Sequence, residues 1–118
     1  MPTPLEVVRA YCALWNENDA GVRARLLHLC WSDGGTIHIG ERTIAGKEAV
    51  AAEAAQFRER CPQDEGVLTS DIAFVGRWFR FAGEMRRPDG SVYSRFLDVG
   101  EFGADGRILA IITFSREP

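Results

Sequence analysis

Apolar residues recur at helical spacing through the first half of the chain and at every second position through much of the second half. Leu5, Val8, Cys12 and Trp15 form one stripe, with Val7, Tyr11 and Leu14 beside it, which predicts a largely buried first helix. Its start is marked by Thr3 as a cap, Pro4 at the first helical position and Glu6 completing a capping box. Its end is expected near 16–18. Asp19 is placed to cap a second helix with Val22, Leu26, Leu29 and Cys30 on its apolar face and Arg23 and Arg25 off it. The stretch 31–35, with its Gly34-Gly35 pair, reads as a break. Residues 36–39 alternate as a strand, and 42–45 are expected to pair with them as a small hairpin. Gly46 precedes a third helix over 47–60, where Ala is the commonest residue and Val50, Ala54 and Phe57 mark the buried side. Pro62 stops it.

Beyond Gly66 the pattern changes to strands, expected over 67–75, 77–86, 91–102 and 107–115. Turn residues separate them at Val75-Gly76, Pro88-Asp89-Gly90 and the segment 103–106, and such short turns imply an antiparallel meander. Helices first and strands afterwards indicate one α+β domain over 1–118. Strands of this length twist and coil, so a sheet capped on one side by three helices curls into a cone with an interior. Both faces of the last strands carry apolar residues. Val92, Phe96 and Phe102 oppose Tyr93, Leu97 and Val99, while Leu109 and Ile111 oppose Ile108, Ala110 and Ile112. Helices cover only one face, so a homodimer through the sheet is expected to cover the other.

Composition supports a folded domain, since 46% apolar residues suffice for a core and 26% charged residues are too few for a disordered chain. The net charge of −3, with Lys and Arg scattered, argues against nucleic-acid binding. No apolar run has the length of a membrane span. Met1-Pro2-Thr3-Pro4 has no basic segment followed by an apolar one, so a cytoplasmic location is expected. Cys12, Cys30 and Cys61 match no metal or redox spacing and read as small apolar side chains. His28 and His38 lie in different elements and no metal site is expected. The chain has no GxGxxG or P-loop, so no nucleotide cofactor is implied.

The order helix, helix, short strand, helix and four-strand meander resembles the nuclear transport factor 2-like superfamily, with its cystatin-like α+β roll. The residues that carry the likeness are the first-helix segment 11–19 (YCALWNEND), the strand–Gly–helix entry 43–50 (TIAGKEAV), and the late strands 96–102 (FLDVGEF) and 105–108 (DGRI). The superfamily includes ketosteroid isomerases, SnoaL-like polyketide cyclases and scytalone dehydratase, and also proteins of the same fold without known activity.

Asp98 sits in an apolar strand, where an ionised carboxylate is costly and a protonated one can donate a hydrogen bond. By resemblance, Asp98 and Tyr11 fall where ketosteroid isomerases keep the protonated carboxyl and the phenol that hold an oxyanion. A structural role for each, satisfying backbone or indole groups, stays open. The family's first-strand carboxylate is missing. Its position falls at Ile39 or, with a slip of one residue, at His38, whose imidazole is then the candidate base. An epoxide-hydrolase arrangement is disfavoured, because Arg95 and Asp98 fall on opposite faces of one strand and the last strand has no Asp. Trp15, Phe57, Phe74, Phe96 and Phe114 are candidate ligand contacts for a small apolar carbonyl compound. The expected chemistry is cofactor-independent proton transfer, as in isomerisation, cyclisation or dehydration. The alternative is a non-catalytic ligand-binding or protein-association module.

Overall fold

The structure is a computed structural model, and it describes residues 1–117. Local signals set the helices. In α1 (Pro4–Leu14) the Thr3 hydroxyl accepts from the Glu6 N–H at 3.1 Å and Glu6 accepts in return from the Thr3 N–H at 3.3 Å. This helix ends at Leu14, slightly before the expected 16–18. In α2 (Ala20–Cys30) the Asp19 carboxylate accepts from the Val22 N–H at 2.9 Å. Its most buried residues are Leu27 and Cys30, so the inward face is rotated from the predicted stripe, and Leu26 and Leu29 flank it. The third helix, α3 (Lys47–Arg60), has the predicted bounds, and it buries Val50, Ala54 and Arg58.

The strands are β1 (Trp31–Ile39), β2 (Arg42–Ala45), β3 (Glu65–Leu68), β4 (Ala73–Val75), β5 (Trp78–Arg86), β6 (Val92–Phe102) and β7 (Ile108–Arg116). They form one sheet in the order β2-β1-β7-β6-β5-β3, with β4 also paired to β5. The meander is antiparallel, but β7 returns alongside β1 in the same direction, pairing Thr36 with Ala110 and Ile39 with Thr113. The sheet is therefore mixed where the sequence predicted an antiparallel one. It curls without closing, and the helices lie in its concavity.

Three local departures from the predicted strands have side-chain causes. The Gly34-Gly35 pair lies inside β1, because the Trp31 indole folds over Gly35 and donates to its carbonyl at 3.2 Å. A Cβ at Gly35 would come within 2.7 Å of that indole, so glycine is required there. The expected strand over 67–75 is split into β3 and β4, since the Ser70 hydroxyl takes the Ala82 N–H at 2.8 Å in place of a ladder carbonyl. In β7 an irregularity opposite Glu101–Phe102 puts Ile108 and Ile111 in the core and leaves Leu109 and Ile112 exposed. The simple alternation that grouped Leu109 with Ile111 does not hold.

The core is built on Trp31, Phe79, Phe81, Leu14, Val7 and Val8, all essentially inaccessible. Phe79 lies across Gly100 on the neighbouring strand, where a Cβ would approach its ring to 2.1 Å. An aromatic ring over a glycine lets β5 and β6 bend together at this point.

Candidate functional site

Between the helices and the concave face lies a cavity of about 350 Å³, within the range of small-molecule sites. One wall comes from α1, through Tyr11, Cys12 and Trp15, and another from α3, through Glu53, Phe57 and Arg60. The sheet contributes every second residue: Ile37 and Ile39 of β1, Ser94, Phe96 and Asp98 of β6, and Thr113 and Ser115 of β7. The α1 and β1 sides are mainly apolar, while α3 brings two charged residues beside Phe57. The β6–β7 side carries a polar row of Asp98, Thr113, Ser94 and Ser115.

Asp98 is the innermost polar group, 5% exposed, in register with Phe81 on one side and Thr113 on the other. Burial pushes its carboxyl up to about 7, opposed by a hydrogen bond from the Thr113 hydroxyl. Its Oδ1 is buried and has no hydrogen-bond partner among the described residues. A buried polar atom without a partner costs about 1–3 kcal/mol, and Asp98 is one of the residues that line the cavity. Tyr11 is 4% exposed, held between the stacked Trp31 ring at 5.6 Å and the edge of Trp15 at 6.1 Å. Burial, and then the nearby Asp98, hold its phenol well above the usual tyrosine range, while a hydrogen bond from Trp15 opposes them. It therefore remains a neutral donor. Burial and Asp98 also push the Cys12 thiol up to about 12, which leaves it protonated and unsuited to nucleophilic work.

Two polar clamps fix the walls. Asn16, just past α1, exchanges hydrogen bonds with the backbone of Gly66 at 2.8 and 2.9 Å, joining the helix to the edge strand β3. Arg58, 5% exposed, donates to the carbonyls of Trp15, Pro62 and Asp64 and to the Asn18 side chain at 2.6–3.1 Å. It ties the end of α1 to the end of α3, so Trp15 and Phe57 face the same space.

No family model matches the sequence, and no curated protein matches it. Solved structures do. A SnoaL-like family protein from Agrobacterium tumefaciens, described as a candidate isomerase, superposes with a TM-score of 0.87 at 26% identity, over 95% of this chain and 96% of that one. A candidate SnoaL-like polyketide cyclase from Jannaschia sp. CCS1 gives 0.70 at 16% identity, over 98% and 88%. An NTF2-like protein of unknown function from Cytophaga hutchinsonii gives 0.74 at 9% identity, over 98% and 92%. The chain has the fold of these SnoaL-like and NTF2-like proteins.

Within this NTF2-like cone the structure brings together Asp98, Tyr11, Trp15, Phe57 and Phe96 around the cavity. It does not bring His38 there. Ile37 and Ile39 take the concave face of β1, so the intervening His38 points outward, with its ring nitrogens 3.1 Å from the Thr36 hydroxyl and 3.3 Å from that of Thr43. An imidazole on the convex face cannot reach a molecule in the cavity, and His38 is withdrawn as a base. Phe74 is also displaced, stacking on Phe102 at the β4 edge, and Phe114, 59% exposed, lies on the convex face. Sequence reasoning missed Arg42, Glu53, Arg60, Thr113 and Ser115. The signal for two of them was present, since Glu53 and Arg60 share a helical face with Phe57.

Proposed function

We propose that this protein binds a small carbonyl compound of largely apolar character and moves a proton on it, with Asp98 as the proton carrier and Tyr11 as the donor to the developing oxyanion. The observation that carries the reading is the unpartnered Oδ1 of Asp98, a buried carboxyl among the residues that line the cavity. A carboxyl group with a pKa of about 7 is present both as acid and as base near neutral pH, the condition for efficient proton transfer. The C–H bond next to the ligand carbonyl breaks, its proton passes to Asp98, and its electron pair enters the enolate. The enolate oxygen accepts a hydrogen bond from Tyr11. Asp98 then returns the proton to the same or a conjugated carbon. The step moves a proton and no net electrons, so it calls for no redox cofactor.

The similarity to the Agrobacterium protein described as a candidate isomerase supports this class of reaction. The same proposal includes a homodimer. Leu97 pairs with Phe114 and Val99 with Ile112 across the convex face, giving an apolar patch that the helices do not cover.

The test uses 2-tetralone as probe, with exchange of its C1 protons in D₂O followed by NMR. The protein is expected to accelerate exchange, and Asp98→Asn is expected to abolish the acceleration with the thermal transition retained. Tyr11→Phe is expected to reduce it about a hundredfold, the usual scale for losing one oxyanion donor. Binding of the ketone with exchange at the buffer rate would make the protein a binding module instead.

A further inference from the structure

The rim of the cavity is charged, and its charges do not cancel. Along α3, Glu53, Phe57 and Arg60 are spaced by four and three residues, and all three line the cavity. Glu53 is paired with Arg42, which reaches over from β2. Arg60 has no carboxylate partner among the described residues. The other acid near this end, Asp64, is engaged by the Tyr93 phenol, whose ring also carries the Arg87 guanidinium at 4.5 Å. Asp98, the remaining carboxyl of the lining, is at the buried end. A chain of net charge −3 therefore keeps one exposed guanidinium without a carboxylate partner in the lining of the cavity.

The ionisable groups of the lining thus differ in depth, with Asp98 and Tyr11 buried and Arg60 exposed. The buried end offers Tyr11 to a carbonyl or enol oxygen, with Asp98 as the proton carrier. The outer end offers Arg60, a planar fork of donors that suits a carboxylate. Trp15, Phe57 and Phe96 add apolar lining. We infer that the ligand is a small aromatic or alicyclic acid, held with its carbonyl or enol oxygen inward and its carboxylate against Arg60. Arg60 is the residue that sets this specificity, because it is the one unpaired charge of the rim among the described residues. The inference rests on the cavity being the ligand site and adds the ligand's charge and its orientation.

The probes are 6-hydroxy-2-naphthoic acid and its methyl ester, whose fluorescence reports binding. The hydroxyl mimics the enol end, and the two differ only in the charge at the other. The acid is expected to bind at least about fivefold more tightly than the ester. Arg60→Gln is expected to remove that preference by weakening the acid alone, Arg60→Lys to keep part of it, and raised salt to reduce it in the parent protein. Arg60 is exposed, so its substitution leaves the fold in place. Equal affinities for acid and ester, or an Arg60→Gln variant that keeps the preference, would overturn the inference. In that event, sensitivity of both probes to Asp98→Asn would leave the cavity reading standing. Failure of both probes to bind would overturn both.

Discussion

At the scale of single residues, Asp98 ties stability to pH in a direction opposite to that of most carboxylates. Its folded pKa of about 7 stands above the ordinary 3.8, so between those values the folded chain holds a proton that the unfolded chain releases. The stability Asp98 contributes is present at pH 4 and is lost as pH rises toward 7, by up to about 4 kcal/mol. Asparagine keeps the shape of the protonated acid and cannot ionise. Asp98→Asn is therefore expected to melt several degrees above the parent protein at pH 8, with the gap closing toward pH 4. Parallel melting curves for the two proteins across that range would show that the carboxyl group is not desolvated. A substitution that stabilises the fold while abolishing proton exchange would distinguish a functional group from a structural one. The position of Asp98 within an apolar strand was legible in the sequence. Its partner Thr113 was not, because the pairing of β6 with β7 fixes that contact at long range. His38 illustrates the same limit: alternation set it opposite Ile37 and Ile39, but only the curl of the sheet decides which set faces the cavity.

At the scale of elements, the three helices were legible because their signals are local. Thr3, Pro4 and Glu6 lie within one turn, and Asp19 caps the helix it adjoins. The strands were legible in number only in part, since the Ser70 hydroxyl that divides β3 from β4 acts on a residue of β5. The parallel pairing of β1 with β7 depends on where the last strand returns, which no local pattern records. Arg58 shows how such long-range needs are met. Its guanidinium holds the ends of α1 and α3 together through four neutral oxygen acceptors, without a carboxylate. Removing it leaves those acceptors short of donors in a part-buried junction, and Arg58→Ala is expected to cost about 3 kcal/mol or more in urea unfolding. A lysine has one nitrogen and cannot span the four sites, so Arg58→Lys is expected to recover little. A loss below about 1 kcal/mol for Arg58→Ala would mean that water replaces the guanidinium without penalty. Weaker binding of cavity probes should accompany the loss, because Trp15 and Phe57 are carried on the two joined ends.

At the scale of the molecule, the curl that creates the cavity also creates a problem on the other side of the sheet. The helices fill the concave face, which leaves the convex face of β6 and β7 with Leu97, Ile112 and Phe114 exposed by 39%, 42% and 59%. Leu97 stands opposite Phe114 and next to Ala82 in the sheet register, so the patch is continuous across β5, β6 and β7. Charged side chains border it, with Arg80 opposite Val99 and Arg95 opposite Glu84. An apolar centre with a charged rim suits association between two copies related by a twofold axis, where each patch meets its own image. Because the cavity lies on the opposite face of the sheet, association through the convex patch would not cover its lining residues. The parent protein is accordingly expected to sediment as a dimer at tens of micromolar. Phe114→Glu puts two like charges into the centre of the contact, one from each copy, and is expected to give a monomer. Phe114 is not among the residues that line the cavity, so the monomer should still bind 6-hydroxy-2-naphthoic acid, with a lower melting temperature from the lost contact. A parent protein that remains monomeric at those concentrations would mean that the convex patch stays in water or meets a different partner. A Phe114→Glu monomer that no longer binds the probe would mean that the second copy supports the cavity wall through β7, the strand that carries Thr113 and Ser115 inward and Phe114 outward.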